Sequence, residues 1–183
     1  MPRPKTDIPE EPQSPFPLVE TSTVITGFGR GSSELGIPTA NIPINDDINK
    51  LDTGIYYGWC RLIPHSGQSD SITHRINCED QEVVFNHGNQ LAGQELDVLP
   101  MVMSIGWNPF YHNKSKAAEV HIMHKFDNNF YGADIKFAVL GYIRPELDYT
   151  TKAALIEDIN LDIKIAVEIL ERDAYMKFRT LVA

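Results

Sequence analysis

The segment Gly54–Ile63 reads GIYYGWCRLI and is the clearest structural signal in the sequence. It is rich in aromatic and β-branched residues, which are enriched in strands because they pack well on a pleated surface. Shorter segments of similar character lie on both sides of it, and glycine-bearing turns (HSGQ, NHGN, LAGQ) separate several of them. Together they predict six or seven short strands in an antiparallel barrel or sandwich. The other candidates are Val19–Thr26, Ser71–Cys78, Glu82–Asn86, Glu95–Ser104, Ala118–Lys125 and Asp134–Ile143.

Within Ala118–Lys125 the side chains alternate in character, as expected for a strand with one buried face. Val120 and Ile122 belong to one face, and Glu119 and His121 belong to the other. The sequence therefore predicts that Glu119 lies on the opposite face of its strand from Val120 and Ile122.

After Thr150 the apolar period changes from that of strands to that of a helix. Apolar residues recur at spacings of four, four, three and four, which places them on one helix face. They are Leu155, Ile159, Ile163, Ala166 and Leu170. Thr150 or Thr151 is suited to cap the start of this helix, and its charged residues are expected on a solvated face. The apolar face needs a partner, so we predict a mainly β fold with a C-terminal helix packed against it.

Composition excludes several classes of protein. The chain has 183 residues, 16 Lys plus Arg and 25 Asp plus Glu, so its formal net charge is −9. This charge argues against nucleic-acid binding and against an electrostatic membrane anchor.

No apolar run approaches the roughly 18 residues of a membrane span, and the first residues lack the apolar region of a signal peptide. Two cysteines, Cys60 and Cys78, form no disulfide or zinc pattern. We therefore expect a cytoplasmic protein with reduced, buried thiols.

The sequence divides at about residue 18. Residues 1–17 hold six of the twelve prolines and few apolar side chains, which predicts an extended N-terminal arm. Residues 18–183 are expected to form a single domain that includes the C-terminal helix.

A glycine-rich segment, Gly27–Asn41 (GFGRGSSELGIPTAN), follows the first predicted strand. The dinucleotide motif GxGxxG fails because Ser32 replaces its third glycine, and the P-loop motif fails because Ile37 and Pro38 replace Lys-Ser/Thr. The segment still suits an anion, because glycines let backbone N–H groups approach phosphate oxygens and Arg30 and Ser32 add donors.

Thr39 and Asn41 offer two oxygen ligands on one side of an extended stretch, which suits a hard cation such as Mg²⁺. The alternative is a glycine-rich turn that binds nothing, and composition alone favours that alternative.

Three blocks of sequence resemble those of the riboflavin kinases (flavokinases). The first is the glycine-rich segment, and the second is SIGWNPFYHNKSKAAEVHIMHKFDNNFYG at Ser104–Gly132. The third is VLGYIRPEL at Val139–Leu147, followed by the helix that contains LIEDINLDIKIA. The blocks cover most of the chain outside the arm and the middle segment, and the first two are long and specific.

The resemblance implies a six-stranded antiparallel Greek-key barrel with a C-terminal helix. It also implies an enzyme that transfers phosphate from ATP to the ribityl 5′-hydroxyl of riboflavin, giving FMN and ADP. Glu119 would be the catalytic base, and Thr39 and Asn41 would hold a divalent ion, Mg²⁺ or Zn²⁺. Arg144 and Glu146 would lie on the flavin side. The residues that would bind ATP are Gly27, Gly29, Arg30, Gly31, Ser32, Pro38 and Thr39.

The expected partners are thus riboflavin, FMN, ATP and ADP, and a monomer is expected. Asn129 departs from the family, which commonly has Asp before the FYG. Residues 61–101 are longer than in compact members and predict an extended hairpin or loop. The chain has no room for the adenylyltransferase domain of bacterial forms, so FAD synthesis is not expected. A non-catalytic barrel that carries flavin or another small ligand is the alternative, but it would need neither Glu119 nor the Thr39–Asn41 pair.

Overall fold

The computed structural model describes residues 3–4, 6–25, 39–65, 69–75, 78–107 and 116–183. Six strands in these ranges form one antiparallel sheet, and two more form a separate hairpin. The strands are β1 (Leu18–Thr23), β2 (Ala40–Ile42), β3 (Gly54–Ile63), β4 (Ser71–Arg75), β5 (Cys78–Phe85), β6 (Leu99–Trp107), β7 (Lys116–Ile122) and β8 (Asp134–Arg144). The helices are α1 (Asp46–Asn49), α2 (Lys152–Leu170) and α3 (Asp173–Met176), with 3₁₀ turns at Gly93–Leu96 and Lys177–Leu181.

The six-stranded sheet is curled. Its strand order is β1-β8-β3-β6-β7-β2, so β1 and β2 are its two edges. Just beyond β1, the Ile25 N–H donates to the Asn41 carbonyl on β2 at 2.9 Å. The two edges therefore meet at this bridge. The predicted six-stranded antiparallel β fold with a C-terminal helix is confirmed.

Successive side chains of the strands point to opposite sides of the sheet, and apolar residues on both sides give it two apolar faces. The inner face is filled by side chains from all six strands or the residues beside them, including Val24, Ile42, Tyr56, Met103, Val120 and Phe137. Cys60 is also fully buried there, and this burial raises the pKa of its thiol. The outer face, with Tyr57, Trp59, Val102 and Leu140, packs against the C-terminal helices.

Helix α2 begins where the sequence predicts. Thr151 is its N-cap, and the Thr151 Oγ1 accepts a hydrogen bond from the Ala154 N–H at 3.1 Å. Ala166 and Leu170 are buried against the sheet, as the period predicts. Asp162 is buried as well, although the charged residues of this helix were expected on the solvated face. Its burial is explained by the ion pair that it forms with the buried Arg144.

The middle segment contains the hairpin of β4 and β5, in agreement with the predicted hairpin or loop. The arm has no regular structure in its described residues, but it packs on the rest of the molecule. Phe16 contacts the inner core and Ile8 contacts the core beneath the C-terminal helices. Among the described residues, no helix has the length and apolarity of a membrane span.

Candidate functional site

A row of polar residues crosses the outer face of the sheet. Asn41 on β2 lies directly opposite Glu119 on β7, and Glu119 lies opposite Ser104 on β6. Directly opposed residues of antiparallel strands have Cβ atoms about 4.5–5.5 Å apart on the same face. Ser104 in turn lies opposite Ile55 of β3, which belongs to the core under the C-terminal helices. The row therefore runs from the sheet edge to the apolar core beneath α2.

The alternation of β7 places Glu119 on this face. Its neighbours Ala118 and Val120 point into the inner core and are almost completely buried, whereas Glu119 is half-buried. Helix α2 packs mainly on β6, β3 and β8. Glu119 and Asn41 therefore lie beside the helix, on the part of the outer face nearer the edge strand β2.

Thr39 and Asn41 lie on one side of an extended stretch, as their spacing predicts. Ala40 and Ile42 are buried in the inner core, so the two-residue repeat of an extended chain places Thr39 and Asn41 on the opposite side. Both are half-buried. The described residues include no group of three or more His, Cys, Asp and Glu side chains suited to a metal. The neutral oxygens fit a hard cation that takes its other ligands from phosphate and water.

The described residues on either side of residues 26–38 lie at this site. Residues 26–38 lie outside the described part of the chain, and with them the predicted ATP-binding residues Gly27, Gly29, Arg30, Gly31, Ser32 and Pro38. The flanking residues are described: Ile25 pairs with Asn41, and Thr39 directly precedes β2. Ile25 and Thr39 therefore lie next to Asn41, which is opposite Glu119.

Arg144, the last residue of β8, is buried and bonded to protein groups through all three guanidinium nitrogens. Its Nε donates to Asp162 Oδ1 at 2.9 Å, and its Nη2 donates to Asp162 Oδ2 at 2.8 Å. Its Nη1 donates to the Pro145 carbonyl at 3.2 Å. Burial lowers the pKa of Arg144, but the hydrogen bonds and charge of Asp162 outweigh it and leave the pKa raised. This pair joins the end of β8 to α2.

Glu146 follows two residues later and places its carboxylate on the same face as Glu119. A methyl group added at Gly106 of β6 would lie 2.1 Å from Glu146 Oε1, so the carboxylate rests directly against the glycine. Gly106 pairs with Ala117, which is two residues before Glu119. A side chain at position 106 would displace the Glu146 carboxylate from this face.

The environment of Glu146 favours its neutral form more than water does. Although the residue as a whole is exposed, its carboxyl group is partly buried against the sheet, and this burial raises its pKa. The nearby Arg144 opposes that effect, and Asp148 reinforces it.

Three features of this face were not predicted from the sequence: Ser104, Gly106 and the buried Asp162. Of these three, only Asp162 has a signal in the local sequence. It is three residues after Ile159 and four before Ala166, so helical spacing places it on the apolar face of the helix. Asn129, which departs from the family pattern, has an exposed side chain. Its carbonyl accepts a hydrogen bond from Asn86 Nδ2 at 2.8 Å, which ties it to the end of the β4–β5 hairpin.

The fold and the site together define a small, curled β-sheet protein with a carboxylate-bearing face between a sheet edge and a C-terminal helix. The family model described as "Flavokinase: Riboflavin kinase" matches residues 14–170 of this chain. The chain therefore belongs to the flavokinase family.

Individual relatives agree with this family. A riboflavin kinase of Scheffersomyces stipitis is 69% identical over 99% of this chain and 100% of its own length. A riboflavin kinase of Lodderomyces elongisporus is 62% identical, with 98% of each chain covered. The solved riboflavin kinase of Trypanosoma brucei superposes with a TM-score of 0.61 at 23% identity, covering 92% of this chain and 87% of that one. At that identity the likeness concerns the fold alone.

Proposed function

We propose that this chain is a riboflavin kinase that converts riboflavin and ATP into FMN and ADP. Its family and its relatives of high identity support this activity. The structural observation that supports the proposal most is the placement of Asn41 opposite Glu119, with Ile25 and Thr39 beside Asn41. The Glu119 carboxylate and the side-chain oxygens of Thr39 and Asn41 thus lie on one face, and Ile25, which precedes the candidate phosphate-binding segment, pairs with Asn41.

Glu119 is proposed as the general base. A glutamate is ordinarily ionised at neutral pH and can accept a proton. In this scheme the ribityl 5′-oxygen of riboflavin forms a bond to the γ-phosphorus, and its proton passes to Glu119. The bond between the γ-phosphorus and the bridging oxygen breaks, and ADP leaves with that oxygen. Phosphoryl transfer needs mainly positioning and charge stabilisation from a protein, so one placed carboxylate is sufficient for the proton.

Thr39 and Asn41 are proposed to hold the divalent ion, Mg²⁺ or Zn²⁺, that accompanies ATP. Such an ion supplies positive charge to the phosphate oxygens. The chain itself carries a net charge of −9, so it repels a metal–ATP complex less strongly than free ATP.

The glycine-rich segment is proposed to bind the nucleotide phosphates. Backbone N–H groups near Gly27, Gly29 and Gly31 would donate to phosphate oxygens, with Arg30 and Ser32 as further donors and Pro38 next to Thr39. The flavin is proposed to lie towards α2, near Arg144 and Glu146. Because the guanidinium of Arg144 already donates to Asp162 and Pro145, Glu146 is the better placed of the two to form a hydrogen bond with a substrate.

We further propose that residues 18–183 act as one catalytic domain, that residues 1–17 form its arm, and that the enzyme is a cytoplasmic monomer. The proposed activity is tested by incubating the purified chain with riboflavin, ATP and Mg²⁺ and separating the flavins by chromatography. FMN that appears only when ATP and metal are both present supports a kinase. Binding of riboflavin without FMN would contradict it and favour a flavin carrier.

A further inference from the structure

The N-terminal arm reaches the buried ion pair of Arg144 and Asp162 through a second arginine, Arg3. The Arg3 Nη2 donates to Asp162 Oδ1 at 2.5 Å, and its Nη1 donates to the Asp158 carbonyl at 3.2 Å. The Arg3 Nη1 also lies 3.5 Å from the Asp158 carboxylate. The side chains of Arg3, Asp162 and Arg144 are only 17%, 2% and 3% exposed, so these contacts are largely shielded from water.

The charges in this network balance, with two arginines facing two aspartates. A buried ion pair is maintained only when further hydrogen bonds compensate for the lost hydration. Asp162 meets this condition because Arg144 donates to both of its oxygens and Arg3 donates to one of them. Without Arg3, the Asp162 carboxylate would lose one of its two cationic partners, and Asp158 would lose its arginine.

The two aspartates hold opposite ends of the same short segment, residues 144–149. Arg144 at its start is bonded to Asp162, and Tyr149 at its end donates its hydroxyl to Asp158 Oδ2 at 2.5 Å. The Arg144 guanidinium lies 5.9 Å from the Tyr149 ring, so the two ends of the segment also approach each other. Arg3 contacts both aspartates and therefore links the two anchors.

Glu146 lies between these anchors, and its carboxylate rests against Gly106 on the face of Glu119. We propose that Arg3 is a positioning residue for the riboflavin side of the site, acting through Asp158 and Asp162 to hold residues 144–149 and thereby Glu146. This inference rests on the proposed function, because it takes Glu146 to lie against the flavin substrate. The arm is then part of the machinery that binds riboflavin.

The arm offers a matched control, because it is also attached to the C-terminal helices at a second point. The Tyr175 hydroxyl donates to the Pro9 carbonyl at 2.6 Å and accepts from the Tyr57 hydroxyl at 3.3 Å. This contact holds the arm but does not touch residues 144–149. Loss of the Tyr175 hydroxyl therefore weakens the attachment of the arm without removing Arg3.

The test compares the wild-type chain with Arg3→Met, Arg3→Lys and Tyr175→Phe in steady-state assays of FMN formation, below the melting temperature of each variant. We expect Arg3→Met to raise the KM for riboflavin roughly 2- to 30-fold, the range found for substitutions in coupled networks. The KM for ATP and kcat are expected to stay within about twofold of the wild type, since none of the proposed ATP-binding residues belongs to residues 144–149. The KM of Arg3→Lys for riboflavin should lie between those of the wild type and Arg3→Met, because one ammonium group cannot contact both aspartates.

Tyr175→Phe is expected to lower the melting temperature without changing the KM for riboflavin. An unchanged KM in Arg3→Met, or an equal rise in Tyr175→Phe, would overturn the role of Arg3. If the wild type forms no FMN, the proposed activity fails, and riboflavin affinity measured by fluorescence quenching replaces KM. Weaker binding by Arg3→Met than by Tyr175→Phe would then support the positioning role, and equal binding would overturn it.

Discussion

At the scale of single residues, Gly58 shows how closely β3 and β8 approach each other. A methyl group added there would lie 1.9 Å from the Ala138 carbonyl oxygen, beside an irregularity in the pairing of the two strands. The obstructing atom belongs to the backbone of a neighbouring strand and cannot rotate away. We expect Gly58→Ala to lower the free energy of unfolding by about 3 kcal/mol, as measured by urea denaturation.

Gly93→Ala is the matched control for this substitution. Nothing lies within 4 Å of a methyl group added at Gly93, but its φ of +59° is unfavourable for alanine. A loss of about 1 kcal/mol is expected from that backbone strain alone. If Gly58→Ala and Gly93→Ala lose the same free energy of unfolding, the close approach of β3 and β8 does not explain the effect of Gly58→Ala.

Glu119→Gln tests the proposed base at the same scale. Glutamine preserves the size of the half-buried side chain but cannot accept the proton. We expect the variant to fold, to bind riboflavin, and to lose on the order of 10²- to 10⁴-fold in kcat. The exposed Glu168 on α2 provides the control, since Glu168→Gln removes the same charge from a residue outside the row of polar residues. Wild-type kcat in Glu119→Gln would remove this residue from the mechanism.

At the scale of elements, β2 and the residue before it carry the two proposed metal ligands. Thr39→Val and Asn41→Leu each remove an oxygen while leaving the buried Ala40 and Ile42 in place. We expect both variants to need more Mg²⁺ for half-maximal activity at fixed ATP, by roughly tenfold if one ligand contributes about 1.4 kcal/mol. Riboflavin binding should change little.

A titration of Mg²⁺ at constant ATP measures this effect. Thr21→Val on β1 is the control, because Thr21 is exposed on the opposite edge strand. If the metal dependence of both Thr39→Val and Asn41→Leu equals that of Thr21→Val, the pair has a structural role only.

The elements also show what local sequence can and cannot predict. β3 has the predicted bounds because its aromatic and β-branched residues fill both faces, and the alternation of β7 correctly placed Glu119 away from the inner core. β2 was not predicted because three residues are too few to show the two-residue alternation of a strand. It is a strand because it pairs with β7 and with Ile25. β6 begins at Leu99 rather than at Glu95, since a 3₁₀ turn occupies Gly93–Leu96.

The missed parts of the site depend on register between distant strands. Ser104 opposes Glu119, and Gly106 accommodates Glu146, only because β6, β7 and the end of β8 meet in the curled sheet. The burial of Asp162 similarly depends on Arg144, which is 18 residues away in the chain. Local periodicity carries no information on these pairings.

At the scale of the whole molecule, tyrosines limit stability at alkaline pH. Burial raises the pKa of Tyr56, Tyr57 and Tyr142, and burial together with the hydrogen bond to Asp158 raises the pKa of Tyr149 to about 12. In the unfolded chain the tyrosine hydroxyls lose their protons near pH 10. The stability that the folded protein gains from keeping these hydroxyls protonated is therefore fully present below that pH. It is lost as the pH rises through the folded pKa values.

We therefore expect the urea midpoint to fall above about pH 10, with phenolate absorbance appearing as the protein unfolds. Tyr149→Phe should show a smaller fall between about pH 10 and pH 12 than the wild type. Phenolate absorbance that reaches its full value near pH 10 in the folded protein would contradict the raised pKa values.

The contact between the arm and α2 joins residues 155 and 159 positions apart in the chain. Contacts of such separation form late, because nearly everything between them has to be ordered first. Interactions that are absent from the folding transition state slow unfolding but do not speed folding. Arg3→Met is expected to unfold roughly tenfold faster or more, since hydrogen bonds to charged groups contribute about 1.5–3 kcal/mol. Its refolding rate in stopped-flow experiments should match that of the wild type, whereas slower refolding would mean that the arm docks early. The arm thus prolongs the lifetime of the folded molecule, whereas the rate of folding depends on the sheet.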